Sequence, residues 1–516
     1  MSENFSWHQS RRVWIAGSAA VAASTLVFGL SSCSATGFLP NDETHAFKIT
    51  PELNHPGAAA NRRILGSNVG WAFGGDNMLK EDGVFDDRML SMARAMAPTM
   101  LRFPGGTFSD VFHWAAPMNE HVFTKKRQPT LMNTQRFLEL CESVGAEPLI
   151  TVNTVTGSPE EAAQWVLATN ISGIKSRLTG RPLPRVQYWE IGNEPYLKEQ
   201  SRKDIDLAPS EFGRRVNSFI SAMRKVDPAI SIGIPLTNDS RAGVPVTPYP
   251  GFTRTVLSIV TQKFDYVSLH NAYMPFGFKN GMKATELYWG ASAGALTVKS
   301  DLEAMTKLLS ELRPGQRLPI AITEYGPIFS LGKGSTDDLV SSPAGAIYLA
   351  DVLRVFAESP EVLLATHWSL SANWLFGSIH AKGYPRPAFQ VFRLMRDAIE
   401  GVLVPVRVSS ATVDVAGIGQ VESVRKMPLV AAMATRDKSS LKVLMINKDP
   451  ERTALGRIDW ATTPAARAGR LTLLTTDNVL DTSDGPDMLI RTERALNPLD
   501  TLRLPPHSVA LATFEL

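Results

Sequence analysis

The chain has 516 residues, too many for one ordinary compact core, so two domains, or one large barrel with an appendage, are expected. Its 44% hydrophobic and 20% charged residues exclude wholesale disorder. A formal charge of +3, with no Lys/Arg stripe interleaved with aromatics, argues against a nucleic-acid partner, and the cluster Lys125, Lys126 and Arg127 reads as solvated surface.

At the N-terminus, "SRRVWIAGSAAVAASTLVFGLSSC" sets Arg11 and Arg12 before a mostly apolar run, the layout of a secretory signal. The run ends in Leu30, Ser31, Ser32 and Cys33. This resembles a bacterial lipobox, which implies lipidation of Cys33 and an exported, membrane-anchored lipoprotein of the cell envelope. Ser10 with Arg11-Arg12 also resembles a twin-arginine signal. Cleaved export and a retained membrane anchor are the alternatives. The other cysteine, Cys141, follows Phe137, Leu138 and Leu140 at helical spacing and reads as a buried small hydrophobe.

Residues 1–33 are thus a signal segment and 34–44 a linker. A β-like segment follows at 45–65. Then come eight apolar runs: "SNVGWAF", "TMLRFP", "EPLITVN", "VQYWEIGN", "AISIGIP", "DYVSLH", "LPIAIT" and "LLATHWS". Helical patterns lie between them. In "TGSPEEAAQWVLA", for instance, Ser158 is an expected N-cap, Pro159 the first helical residue and Glu161 the capping-box partner. Eight near-continuous apolar strands alternating with helices predict an α/β fold, a closed (β/α)8 TIM barrel over 66–400. Beyond 401, "LVAAMATRD", "SLKVLMINKD", "GRLTLLTTD" and "SVALATFEL" predict a C-terminal β-sandwich over 401–516, completed by the N-terminal strands.

Active sites of such barrels lie at the C-terminal strand ends. Strand two ends in Arg102, strand three in Asn153, strand four in Asn193 and Glu194. Strand six ends in His270 with Tyr273 nearby, strand seven in Glu324, and strand eight carries His367 and Trp368. Two glutamates therefore converge on one mouth. Hydrolysis of a glycosidic bond needs such a pair, one carboxyl protonated to assist the leaving oxygen and one ionised to attack or to activate water. Arg102 is a candidate cation to hold one of them ionised, Asn193 a donor to a sugar hydroxyl, and Trp368 a flat face for a sugar ring. The histidines at 113, 121, 270, 367 and 380 lack metal-ligand spacing, and "GWAFGG" and "FPGG" lack the order of a nucleotide loop, so neither metal nor cofactor is expected.

"YWEIGNEP" and "ITEYG", with "SLHNAY" between them, resemble the acid/base and nucleophile signatures of the clan A retaining glycoside hydrolases. "LRFPGGTFSDVFHW", "FLELCESVGAEPLITVNTVTGSPEEAAQWV" and "LPPHSVALATFEL" bring the chain nearest to family 51, the α-L-arabinofuranosidases. The resemblance implies Glu194 as general acid/base and Glu324 as nucleophile. It also implies that Asn193 binds the hydroxyl next to the anomeric carbon, that Arg102 and Tyr273 orient the nucleophile, and that His270, Asn153 and Trp368 line the sugar subsite. Retention implies carboxyl groups about 5 to 5.5 Å apart. The substrate would be an extracellular or envelope polysaccharide or oligosaccharide.

Pro195 and "TEYG" depart from family 51, which usually has Met or Ile after the acid and "DEW" around the nucleophile. They look more like families 39 and 79, which act on xylosides and glucuronides. Transglycosylation, and a non-catalytic polysaccharide-binding lipoprotein, are the other readings. Glu190 shares a strand face with Glu194 and reads as structural, a partner for Arg102 or Arg185. His367 reads as a core histidine, and for His113 and Trp114 packing and substrate contact are equally open.

Overall fold

The computed structural model describes residues 37–516 except 56, 198–206, 239–248, 278, 331–336, 373–375 and 461–466. The expected signal segment and Cys33 lie outside the described residues. Among the described residues, no helix is long and apolar enough to cross a membrane.

All eight expected strands form, and they close into a parallel barrel: Gly66–Asn68, Met100–Phe103, Glu147–Val152, Tyr188–Ile191, Ser231–Pro235, Tyr266–Ser268, Ile320–Ser330 and Val362–His367. The last of these pairs with the first, and the seventh with the sixth. A helix follows each strand. The alternation within the strands builds two cores. Outward residues such as Leu101, Ile150, Trp189, Ile232 and Ile322 pack under the helices. Inward residues Met100, Leu149, Tyr188, Tyr266, Ala321 and Leu364 form an apolar plug at the bottom of the barrel. Strand five contributes Gly233 at this level, because a Cβ there would lie 2.0 Å from the Tyr266 ring.

Two residues further along the strands, the inward positions change character. Asn68, Arg102, Thr151, Glu190, Ser268, Thr323 and Thr366 all have 0% exposure. They make a polar layer between the plug and the mouth.

The helix starts follow side-chain chemistry. Ser158 accepts from the Glu161 amide at 3.2 Å, with Pro159 opening the helix Pro159–Val166. The capping box is not completed as expected. The Glu161 carboxylate is taken up instead by His113 Nδ1 at 3.1 Å.

The C-terminal part is a two-sheet sandwich. A six-stranded sheet runs Val402–Val404, Val430–Arg436, Ser440–Asn447, Ser508–Glu515, Gly469–Thr475 and Ile490–Leu496. The facing four-stranded sheet runs Val406–Ser410, Thr44–Pro51, Thr453–Ile458 and Leu502–Leu504, so the N-terminal strand is an interior member. Alternate residues of the larger sheet serve two cores. Leu441, Val443, Ala510 and Ala512 face the smaller sheet, while Leu444, Ile446, Val509 and Leu511 join the barrel core.

Between the domains, Asp351 on the helix Pro343–Glu358 accepts from Arg354 at 2.7 Å and from Lys448 of the sandwich at 3.1 Å. Burial pushes the Asp351 carboxyl up, but Arg354 and Lys448 outweigh it and bring it down to about 2. A carboxyl depressed on folding from an unfolded value of about 3.9 stabilises fully above that value, by roughly 2 kcal/mol, and loses this as pH falls through the folded one. Denaturant titrations from pH 5 to 2 should therefore show the stability gap between wild type and Asp351→Asn closing below pH ~4. A gap that stays constant across this range would contradict the pairing.

Candidate active site

Strand four delivers the first carboxylate through a backbone that only certain residues tolerate. Gly192 has φ 86°, and a Cβ there would lie 2.4 Å from Thr154 Oγ1. Two residues on, Glu194 itself has φ 43°, a strained conformation for a residue with a side chain. The bend carries Asn193 and Glu194 over the polar layer.

Arg102 organises what lies beneath. Its Nε donates to Glu190 Oε2 at 2.8 Å, Nη1 to Asn68 Oδ1 at 2.9 Å and to Glu324 Oε2 at 3.3 Å, and Nη2 to Asn193 Oδ1 at 2.7 Å. Glu190 also accepts from Thr151 and Thr323 hydroxyls at 2.7 and 2.6 Å. Burial drives the Glu190 carboxyl up, but Arg102, His270 and the hydrogen bonds outweigh it and hold it below its usual range. Its role is structural, with Arg102 as its partner, while Arg185 pairs with Asp227 at 2.8 Å. Breaking a pair this deep costs on the order of 3–5 kcal/mol, so Arg102 is held in one position.

Glu324, from strand seven, receives the Tyr273 hydroxyl on Oε1 at 2.6 Å and Arg102 on Oε2. Burial raises its carboxyl above the ordinary range and Glu194 adds to this, against the pull of His270, Arg102 and Tyr273. Glu194 is more open, its side chain 22% exposed against 4% for Glu324. Its Oε1 meets His270 Nδ1 at 3.0 Å and accepts from Tyr196 at 3.4 Å. Asn193 Nδ2 is buried with no protein partner, a donor left over for a ligand beside the two carboxylates.

Glu194, His270 and Glu324 each bring a donor atom within 4.8 Å of the others, a spacing that would also suit a cation. The arrangement is nevertheless that of a carboxylate pair. Each group is already engaged by a protein hydrogen bond, and the Arg102 guanidinium supplies the positive charge.

The structure thus brings Arg102, Asn193, Glu194, His270, Tyr273 and Glu324 together. Two expected residues behave otherwise. The Asn153 amide folds back onto its own loop, donating to Thr156 Oγ1 at 2.8 Å and Phe112 O at 3.2 Å and accepting from the amides of Val155 and Thr156. It holds a turn at the end of strand three. Trp368 is only 5% exposed, with its ring under Gly105 and Gly106, where a Cβ on Gly106 would lie 2.8 Å away. It supports the mouth instead of offering an open face.

His367 is a core histidine against Tyr325 and Phe392, its ring brought down to about 3 by burial. His113 and Trp114 both serve Glu161, through its carboxylate and its carbonyl. Asn68, Tyr196 and Thr323 were not singled out from the sequence. Asn68 stands at the end of strand one and was open to the same strand-end criterion as the others.

No protein-family model matches the chain. It is 27% identical over 222 residues to α-L-arabinofuranosidase C of Emericella nidulans, covering 39% of this chain and 42% of that protein. It is 22% identical over 407 residues to the intracellular exo-α-L-arabinofuranosidase of Bacteroides ovatus, covering 72% of this chain and 73% of that one. The chain spans less than half the length of the first curated relatives it matches.

Among solved structures, the Thermotoga maritima α-L-arabinofuranosidase in its arabinose complex superposes with a TM-score of 0.74 at 21% identity, over 92% of this chain and all of that one. The family 51 α-L-arabinofuranosidase of Thermotoga petrophila gives 0.73 at 22%, over 91% of this chain and 100% of that one. The resemblance to family 51 read from the sequence is borne out, and so is the fold of barrel plus sandwich.

Proposed function

We propose that the chain is a retaining glycoside hydrolase that removes α-L-arabinofuranosyl groups from a polysaccharide or oligosaccharide. One observation carries the reading: a carboxylate oxygen of Glu194 and one of Glu324 face each other within 4.8 Å at the barrel mouth. That is the closeness of a double displacement, in which one carboxylate reaches the anomeric carbon directly. Inverting enzymes hold the pair roughly 6.5–9.5 Å apart to admit a water.

The donors set the roles. Arg102 and Tyr273 both donate to Glu324 and so work against the burial that raises its carboxyl, support that a nucleophilic carboxylate requires. Glu194, more exposed and facing His270, assists the leaving oxygen and then activates water. The free Asn193 Nδ2 suits the hydroxyl beside the anomeric carbon.

Pro195 keeps a second reading in view, a xyloside- or glucuronide-cleaving enzyme. A panel of nitrophenyl furanosides and pyranosides, with proton NMR of the first-formed sugar, separates the two. We expect turnover of the α-L-arabinofuranoside with its anomeric configuration kept. Turnover of a β-xyloside or β-glucuronide alone would replace the sugar assignment, and inversion would remove the double displacement. Binding of glycan with no turnover on any substrate would leave a polysaccharide-binding protein.

A further inference from the structure

Thr323 stands next to Glu324 in sequence, yet it points into the polar layer. Its Oγ1 lies 2.6 Å from Glu190 Oε1 and 3.0 Å from His270 Nε2. A hydroxyl has one proton to give. Glu190 is ionised against Arg102, and an oxygen 2.6 Å away with no proton between would set two acceptors against each other. Thr323 therefore donates to Glu190, and its lone pairs face His270. His270 Nε2 must carry the hydrogen that fills that contact, so a neutral ring leaves Nδ1 as a bare acceptor. Nδ1 is the atom that faces Glu194 Oε1 at 3.0 Å.

We infer that Thr323 locks His270 in the Nε2–H tautomer, so that Glu194 and His270 hold one proton between them and His270 is the positioning residue for the proton that Glu194 delivers. This rests on the retaining-glycosidase reading.

In the first step the proton between Oε1 and Nδ1 passes to the glycosidic oxygen. The bond from C1 to that oxygen breaks, its electron pair goes to the oxygen, and Glu324 bonds to C1. Glu194 is then an anion against the Nδ1 lone pair, an arrangement that strengthens it as a base. In the second step it takes a proton from the water that bonds to C1. The C1–Glu324 bond breaks with its pair returning to Glu324, and the shared proton is restored.

The charged and titratable groups around the ring come from three barrel strands and the segment after strand six. Glu194 and Tyr196 approach from strand four with Glu190 below them, Glu324 from strand seven at 3.9 Å, Arg102 from strand two, and Tyr273 from the segment after strand six.

The test compares Thr323→Val with Thr323→Ser in the full chain, reading kcat/KM against pH on a dinitrophenyl and an alkyl α-L-arabinofuranoside. Thr323→Val should lose roughly 10- to 100-fold on the alkyl glycoside and under about 3-fold on the dinitrophenyl one, a fraction of what acid catalysis contributes. Its alkaline limb on the alkyl glycoside should move down by about one pH unit, and Thr323→Ser should restore both. Equal losses on both substrates, or an unmoved limb, would overturn the proposal.

Nitrogen-15 NMR of the wild-type His270 ring gives a measurement that no variant needs to survive. The hydrogen on Nε2 supports the lock, and a neutral ring with Nδ1–H overturns it. A wild-type chain inactive on every furanoside and pyranoside of the panel would instead remove the glycosidase reading, leaving the tautomer to be decided by this spectrum.

Discussion

Glu324→Ala slows turnover of aryl arabinofuranosides by on the order of 10⁴-fold or more, the scale of losing a catalytic nucleophile. The fold should withstand the change. Arg102 loses only its 3.3 Å contact and keeps Glu190, Asn68 and Asn193. The Tyr273 hydroxyl, 2.6 Å from Glu324 Oε1, loses its acceptor to a cavity that a small anion can enter. Added azide should then attack C1 from the vacated side and yield the inverted glycosyl azide. Wild-type activity in Glu324→Ala, or azide giving only the retained product, would take the nucleophile's role away from Glu324.

The second large effect divides by leaving group. Glu194→Ala should lose about 10²–10⁴-fold on natural and alkyl glycosides, whose leaving oxygen needs a proton. Dinitrophenyl glycosides leave without one, so their glycosylation step survives and the water step becomes limiting. Azide needs no general base and should restore turnover, now with the retained azide as product. The two variants thus give azides of opposite configuration, which assigns both carboxylates independently. Equal losses on activated and unactivated substrates would argue against acid catalysis by Glu194. Thr323→Val should reproduce this divided pattern in weaker form with Glu194 present.

The barrel was legible because its strands are apolar on both faces and end in polar residues, a pattern that survives without knowing the partners. Glu194 and Glu324 stood out as two carboxylates ending strands that a closed barrel must bring together. The polar layer did not stand out. Thr151, Ser268, Thr323 and Thr366 are each one small hydroxyl in an apolar run, ordinary in any strand, and only closure of the barrel gathers them in one layer and brings Thr151 and Thr323 onto Glu190.

Asn153 is the reverse case. A strand-end asparagine reads the same whether its amide faces a sugar or, as here, turns back on Val155 and Thr156. The close approach of the Trp368 ring to the "GG" of "FPGG" is likewise announced by nothing local. Short sandwich strands such as Val402–Val404 and Leu502–Leu504 fall below the length at which alternation can be read.

The strand Thr44–Pro51 has a consequence for biosynthesis. It leaves the ribosome before every barrel strand, yet its neighbours Val406–Ser410 and Thr453–Ile458 follow all of them. Throughout translation of the barrel it is a β-segment with both hydrogen-bonding edges open, the kind of segment that recruits chaperones or pairs with another nascent chain. The barrel can round up as its own units emerge, but the sandwich can close only once its interior strand Ser508–Glu515 has been made. A chain cut short before Val406 would therefore leave the strand Thr44–Pro51 without either neighbour, and aggregation should trace to that segment before any barrel strand.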